Sequence, residues 1–206
     1  NLGSSTQDGC DPGTYQPNFA SSSCIEASLG HYVENENATA QLSCTIGTYQ
    51  PNYASTSCIL AEPGHWVESD GASQTQSCPL GTYGTSVGAV GIETCISADP
   101  GYYVDSTGAS SQLECIAGTY NPVIGAISSA DCLAADAGNY VESSGSSEQT
   151  PCDLGTYQPN SGQIFCLESS SGTYVSNTGS SSVSDCLEGT YQPNSGQSEC
   201  IDTSPG

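Results

Sequence analysis

The sequence contains no Lys or Arg and only two His, whereas Asp and Glu together number 22, so the formal net charge at pH 7 is −22. Binding to nucleic acid or to an anionic membrane surface needs basic side chains that neutralise phosphate groups. Phosphoryl-transfer sites also depend on Lys or Arg to hold the transferred phosphate. The composition therefore excludes nucleic-acid binding, anionic-membrane binding and kinase-like chemistry by this chain.

Apolar residues are also scarce, since Leu, Ile, Val and Phe number 31 among the 206 residues. No apolar run approaches the ~18 residues that a membrane span needs. The first residues show neither the basic nor the apolar region of a signal peptide. We therefore expect a mature segment without direct membrane insertion and without a conventional hydrophobic core.

Twelve cysteines supply an alternative means of stabilisation. An even number of cysteines in a regular pattern is typical of a disulfide-stabilised fold in an oxidising, extracellular compartment. Zinc sites need closely spaced cysteine pairs, and the shortest step between cysteines here is 14 residues, so we expect no metal. The cysteines are Cys10, Cys24, Cys44, Cys58, Cys78, Cys95, Cys115, Cys132, Cys152, Cys166, Cys186 and Cys200.

The cysteines form six pairs that recur every 34 residues, or every 37 in the third and fourth pairs. Each pair opens with C-x-x-G-T-Y, and a second Gly followed two places later by Tyr or Trp lies between successive pairs. The repeating element is therefore a half-unit of about 17 residues, alternately with and without cysteines. We predict a single repeat array over 1–206, with repeats at approximately 7–40, 41–74, 75–111, 112–148, 149–182 and 183–206.

The cysteine-free half-units indicate how the cysteines pair. Where a cysteine half-unit has its two cysteines, these half-units have Ala, Ser or Thr at the first place and Gln, Thr or Val at the second. Two cysteines that are absent together are expected to bond to each other. The predicted disulfides are Cys10–Cys24, Cys44–Cys58, Cys78–Cys95, Cys115–Cys132, Cys152–Cys166 and Cys186–Cys200, each closing a short loop worth ~3 kcal/mol.

The pattern C-x-x-G-x-Y with a Cys 14 residues after the first resembles the ephrin-receptor-like cysteine-rich repeat and the opening half-module of tumour-necrosis-factor-receptor cysteine-rich domains. The resemblance extends over essentially the whole chain. It implies small strand-turn-strand elements that stack into a rod, and it implies architecture more than function. The fold class expected is a small disulfide-rich all-β array, an elongated rod of short strands and turns with little helix.

The aromatic residue of each half-unit has two alternative roles. The rings either form a structural ladder, each covering the backbone of the next half-unit, or form an aromatic stripe that binds sugars. Ile or Leu after each closing cysteine, together with a Val after the aromatic of each cysteine-free half-unit, is expected to add a thin apolar seam. Gln-Pro-Asn after several of the tyrosines predicts type I turns.

Candidate chemical groups are few. His31 and His65 are interpreted as surface residues at a variable position, no catalytic relay is recognisable, and we predict no enzyme activity. The acidic residues lack internal partners and either stay solvated or bind Ca²⁺, for which no loop motif is present, so we expect no cofactor. Asn37 begins an N-x-[ST] sequon in a predicted exposed turn, and the Ser-rich stretches are either turns or O-glycan acceptors.

These features predict a structural subunit or segment of an extracellular filament or surface appendage. The alternative is a stalk or ectodomain of a cell-surface receptor or adhesin that binds a protein or glycan. Two three-residue insertions, in 84–92 and 121–129, carry the candidate lateral contacts Val87, Val90, Val123, Ile124 and Ile127. The partial half-repeats at Asn1 and Gly206 predict a head-to-tail homopolymer, unless the 206 residues are a window of a longer chain.

Overall fold

The computed structural model describes residues 9–18 and 23–203. They form two compact units. Unit 1 extends to Ile96 and includes Ser106–Ser111, and unit 2 comprises Ser97–Asp105 and the residues from Gln112 onward. The predicted calls on the Asn1 and Gly206 ends lie outside the described residues. The repeat of the sequence continues through both units, and the subdivision of the chain into six repeats stays a prediction.

Every strand in the described residues is two residues long, and consecutive strands pair in twos. The strands of unit 1 and of the boundary are β1 Thr14–Tyr15, β2 Ile25–Glu26, β3 His31–Tyr32, β4 Leu42–Ser43, β5 Thr48–Tyr49, β6 Ile59–Leu60, β7 His65–Trp66, β8 Gln76–Ser77, β9 Thr82–Tyr83 and β10 Ile96–Ser97. Those of unit 2 are β11 Tyr102–Tyr103, β12 Leu113–Glu114, β13 Thr119–Tyr120, β14 Leu133–Ala134, β15 Asn139–Tyr140, β16 Thr150–Pro151, β17 Thr156–Tyr157, β18 Leu167–Glu168, β19 Thr173–Tyr174, β20 Ser184–Asp185, β21 Thr190–Tyr191 and β22 Ile201–Asp202.

The register of the antiparallel hairpins is the same in both kinds of half-unit. The aromatic residue lies opposite the first residue of the second strand, as Tyr157 lies opposite Leu167 and Tyr174 opposite Ser184. A turn with a left-handed Gly precedes the first strand, since Gly155 has φ 81°. This conformation is accessible to Gly at little cost. The hairpin therefore follows directly from the sequence G-T-Y.

The threonine of G-T-Y reinforces this turn. In the Cys152 half-unit, the backbone N–H of Thr156 donates to the Asp153 carbonyl at 3.0 Å and its hydroxyl donates to the same oxygen at 2.8 Å. Five other cysteine half-units make the same hydroxyl contact, from Thr14, Thr48, Thr82, Thr119 and Thr190. The small side chain thus satisfies a carbonyl that the two-residue strands leave unpaired.

The core is a narrow column of small side chains. The first cysteine of a pair and the Ala or Ser at the equivalent place are almost fully buried, as are the residues that follow the aromatic. The buried positions are Cys10, Ala27, Cys44, Ala61, Cys78, Ala98, Cys115, Ala135, Cys152 and Ser169, with Val33, Gln50, Val67, Val104, Asn121, Val141, Gln158, Val175 and Gln192. The expected Val half of the apolar seam is therefore confirmed.

The Ile and Leu half of that seam was predicted wrongly. Ile25, Ile59, Ile96, Leu133, Leu167 and Ile201 are 38% to 48% exposed. A two-residue strand has one side chain on each face, and the aromatic opposite already covers part of this residue. No further layer lies above it within either unit, so the aliphatic side chain stays half in solvent.

Backbone hydrogen bonds join each half-unit to the next within a unit. In unit 2 the N–H of Gly138 donates to the Gln158 carbonyl at 2.7 Å, and that of Gly155 donates to the Val175 carbonyl at 2.9 Å. The N–H of Val141 donates to the Gln163 carbonyl at 2.9 Å. Stacking thus satisfies backbone groups that isolated hairpins would leave to water.

Helical structure in the described residues is limited to two 3₁₀ turns, Ile92–Thr94 and Ser129–Asp131, both in or beside the insertions. The second has a capping box, in which the Ser128 hydroxyl accepts from the Ala130 N–H and the Asp131 carboxylate accepts from the Ser128 N–H. The chain is therefore a small, disulfide-rich, almost entirely β protein of tandem disulfide-bonded units, as its sequence predicts.

Candidate functional site

Stacking brings each hairpin glycine against the backbone of a later half-unit. A Cβ built on Gly138 would lie closer than 3.0 Å to the carbonyl oxygen of Gly179, and one built on Gly155 would overlap that of Gly196. The equivalent pairs are Gly13 with Ala54, Gly30 with Gly71, Gly47 with Gly88, Gly64 with Gly108, Gly101 with Gly145 and Gly118 with Gly162. Only Gly fits this interface, because its neighbour is rigid backbone.

The last two hairpin glycines differ from the others. Gly172 and Gly189 have positive φ values of 82° and 84°, like their counterparts, yet a Cβ on either would meet nothing within 4 Å. Both are exposed, whereas the hairpin glycines from Gly13 to Gly155 are buried. Unit 2 therefore presents an uncovered copy of the surface on which half-units stack.

Six disulfides close the cysteine half-units: Cys10–Cys24, Cys44–Cys58, Cys78–Cys95, Cys115–Cys132, Cys152–Cys166 and Cys186–Cys200. This is the pairing that the joint absence of cysteines predicts. Their Cα–Cα distances of 5.6 to 5.8 Å lie in the usual range for disulfides. The staples lie beside the buried column and leave no free cysteine among the described residues.

Three cysteine-free half-units close their hairpin with a glutamine instead. The Gln149 carbonyl oxygen accepts from the Asp136 N–H at 2.7 Å, and its amide donates to the Asp136 carboxylate at 2.8 Å. Gln112 binds Asp99 in the same way, and Gln41 binds Ser28. We call this arrangement the amide clasp. Its glutamine occupies the place of the second cysteine, which is the sequence signal that could have revealed it.

A second glutamine works inside the disulfide loop. Gln158 is buried, its amide donates to the Phe165 carbonyl at 2.8 Å, and its carbonyl oxygen accepts from the Asn160 N–H at 3.2 Å. Gln50 and Gln192 make the equivalent contacts, and the Gln16 amide binds the Ser23 carbonyl. Sequence reasoning assigned Gln-Pro-Asn to a turn and missed this role, in which the side chain holds the loop just before its closing cysteine.

The insertion loops place their apolar side chains outward, as predicted. In unit 1, Val87 and Val90 are 60% and 42% exposed, while Ala89 between them is buried and bridges to Trp66. In unit 2, Val123, Ile124 and Ile127 are 51% to 66% exposed. Their role as lateral contacts stays a prediction. The loop in unit 1 has a further effect, because it covers Trp66 until only 5% of that side chain is exposed.

Asn37 lies in an exposed turn with a left-handed backbone, φ 60°. Its N–H donates to the Cys10 carbonyl at 2.8 Å, and its side chain faces Gly9. Asn tolerates this conformation better than most residues. Glycan attachment at Asn37 stays a prediction.

The remaining polar candidates do not converge. His31 is half-buried, with its Nδ1 donating to the Leu29 carbonyl at 3.0 Å, and His65 is half-buried beside Gly108. Across 9–18 and 23–203, no group of three or more His, Cys, Asp or Glu side chains is arranged to hold a metal ion. In the same ranges no helix is long and apolar enough to cross a membrane.

Unit 2 also contains two shallow hollows, 34 residues apart in the repeat. Each lies between the tyrosine of a cysteine-free half-unit and the disulfide loop of the following cysteine half-unit. The first is lined by Tyr140, Glu142, Asp153, Thr156, Ile164, Phe165 and Cys166, and the second by Leu154, Tyr174, Ser176, Leu187, Thr190, Ser198, Glu199 and Cys200. These are the concave surfaces that could take a ligand.

Comparison with protein families matches residues 138–186 to the family described as tyrosine-protein kinase ephrin type A/B receptor-like. The match covers two cysteine-free half-units and the Cys152–Cys166 loop between them. No curated protein matches the chain. Together with the six disulfides, the match identifies an ephrin-receptor-like cysteine-rich repeat array. It supports an extracellular, receptor-type module without a catalytic role.

Proposed function

We propose that this chain is a structural subunit or segment of an extracellular filament or surface appendage, in which copies assemble head-to-tail. The observation that carries the proposal is the exposed pair Gly172 and Gly189, which have nothing within 4 Å of a built Cβ. Each covered glycine meets the carbonyl of a later half-unit of the same design. A second copy of the chain offers that same carbonyl, so the contact repeats without closing and extends a filament.

The backbone groups of this surface support the same contact. The N–H of Gly172 already donates to the Gln192 carbonyl at 2.7 Å, and within the described residues the N–H of Gly189 makes no such bond to a later half-unit. A docked copy would satisfy that donor. Glycans attached at Asn37 belong to the proposal as covalent decoration of an exposed surface.

The receptor-type match favours a second candidate, a stalk or ectodomain of a cell-surface receptor or adhesin. The two candidates differ in what the purified chain does as its concentration rises. A filament subunit lengthens into fibres, and a stalk remains as single particles. Negative-stain microscopy together with sedimentation velocity measures the difference.

A matched pair of glycine substitutions tests the proposed contact. Gly138→Ala and Gly172→Ala place the same methyl group at nearly the same φ, 87° and 82°, in the same kind of half-unit. We expect Gly138→Ala to lose amide protection around its own hairpin, because its Cβ overlaps the Gly179 carbonyl. We expect Gly172→Ala to keep that protection but to raise the concentration needed for assembly about tenfold or more, which corresponds to ~1.4 kcal/mol.

Two results would count against the filament. If the wild-type chain stays a single particle at every concentration, the stalk is the better description. If Gly172→Ala assembles as readily as wild type, copies join through another surface, and the insertion-loop residues Val123, Ile124 and Ile127 become the next to substitute.

A further inference from the structure

The hollow at Tyr140 has rigid walls. The Cys152–Cys166 disulfide closes the loop that forms one side, and buried Gln158 holds the Phe165 carbonyl at 2.8 Å. Ile164 and Phe165 are thereby fixed at the rim, although they are 45% and 55% exposed. A surface that is already ordered loses little conformational entropy when a ligand binds.

The floor and rim combine aromatic rings with carboxylates. Tyr140 is half-buried, and Glu142 and Asp153 are exposed residues that line the same hollow. Asp153 uses its main-chain carbonyl to accept from Thr156, and neither carboxylate makes a hydrogen bond within the part of the chain that the structure describes. Both anions are therefore available to a group from outside.

The equivalent hollow 34 residues later has lost this combination. Ser176 replaces Glu142, Leu187 replaces Asp153, and Glu199 replaces Phe165. At the corresponding places of the other repeats, the sequence nowhere else has two carboxylates together with a second aromatic residue. An outward Phe in a chain that has only two is unexplained by packing, because its side chain is more than half exposed.

We propose that the hollow at Tyr140 binds a Lys or Arg side chain of a different protein. The methylene stem would lie against Ile164 and the aromatic rings, and the charged end would lie between the Glu142 and Asp153 carboxylates. Its volume of about 280 Å³ is at the small end for ligand sites and suits one long side chain. The chain has no Lys or Arg, so a second copy cannot supply that side chain. This inference does not depend on filament assembly.

Phenylalanine labelling gives a direct readout. With ¹³C-labelled Phe the protein shows ring signals from Phe165 and Phe19 alone, and a Phe19→Leu variant assigns them. We expect the Phe165 signal to shift and saturate on titration with N-acetyl-lysine methylamide. N-acetyl-norleucine methylamide has the same methylene stem without the charge, and we expect it to shift that signal at least about tenfold less at equal concentration.

Paired substitutions of equal charge separate a site from general attraction to an acidic protein. Glu142→Gln with Asp153→Asn should weaken lysine-probe binding about tenfold or more, whereas Glu148→Gln with Asp185→Asn, which removes the same charge elsewhere in unit 2, should change it less than about twofold. All four residues are exposed, so folding is preserved. Equal losses in the two pairs, an equal response to the norleucine probe, or a shift that never saturates would each overturn the proposal.

Discussion

Cysteine half-units and cysteine-free half-units build the same hairpin and close it by different means. The Gly155 half-unit has the Cys152–Cys166 disulfide and buries an amide, Gln158. The neighbouring Gly138 half-unit has the clasp of Gln149 on Asp136 and buries an aliphatic side chain, Val141. The difference teaches that the hairpin needs a small buried residue at its opening and some closure opposite it, and that a covalent bond is one of two workable closures.

The two kinds of half-unit also depend on each other. Backbone bonds alternate between them, since the Gly138 N–H donates to the Gln158 carbonyl and the Gly155 N–H to the Val175 carbonyl. A clasp of ordinary hydrogen bonds is worth roughly 1 kcal/mol net, whereas a disulfide across a loop of this length is worth ~3 kcal/mol. The stapled half-units are thus expected to stabilise the clasped ones on either side of them.

The largest expected effect comes from converting a stapled half-unit into an unstapled one. Cys152→Ala with Cys166→Ala should lower the local free energy of unfolding by about 3 kcal/mol, because the loop regains its freedom in the open state. Hydrogen exchange at the Ser169 amide, which donates to the Gly155 carbonyl at 2.9 Å, measures this opening.

A second variant sharpens that measurement. Cys152→Ala with Cys166→Gln reproduces the clasped pattern, because Asp153 follows the opening residue as Asp136 does in its own half-unit. We expect it to recover about 1 kcal/mol of the loss. If the two variants exchange at the same rate, the clasp is not transferable and the two closures are not equivalents.

The next effect concerns the buried aliphatic side chain of the clasped half-unit. Val141 is 2% exposed, so Val141→Ala removes two buried carbon groups and should cost about 2 kcal/mol. Exchange at the Cys152 amide, which donates to the Gly138 carbonyl at 2.9 Å, reports it. Leu133→Ala is the control, because Leu133 is 48% exposed and should cost less than about 0.5 kcal/mol. Similar costs for the two would mean that the narrow column is not the core.

The sequence was informative wherever a requirement recurs at fixed spacing. The disulfide pairing, the left-handed glycine and the buried Val could be predicted because each occurs once per half-unit or once per repeat. The inward Gln158 could not, because burying an amide is favourable only where the fold brings a carbonyl such as that of Phe165 within reach. The exposed Leu133 and Leu167 were misjudged because hydrophobicity alone does not say whether a second layer covers a strand.

The candidate site was less predictable than the fold. The hollow at Tyr140 draws its lining from three stretches, around Glu142, Asp153 and Phe165, that meet only after two half-units stack. The repeat predicts that such stretches meet in every repeat, and it does not show that they leave a concave surface. The uncovered Gly172 likewise has the same sequence environment as the covered Gly138, and coordinates were needed to distinguish them.

The smallest expected effect isolates the clasp itself. Gln149→Ala removes both the acceptor of the Asp136 N–H and the donor to the Asp136 carboxylate, and it should cost about 1 kcal/mol, because Asp136 is exposed and water replaces part of what is lost. Gln163→Ala is the matched control, since its amide reaches only the Ser161 carbonyl two residues away, at 3.1 Å.

A double-mutant cycle decides whether the two side chains of the clasp act together. Asp136→Ala leaves its backbone N–H free to bind Gln149 and removes only the carboxylate, so the cycle with Gln149→Ala measures the side-chain part of the clasp, for which we expect a coupling of about 0.5 kcal/mol. Faster exchange of the Asp136 amide itself should accompany Gln149→Ala alone, because that N–H then has no protein acceptor. A coupling near zero with unchanged exchange would mean that stacking alone closes the hairpin, and that the two kinds of half-unit differ less than their sequences do.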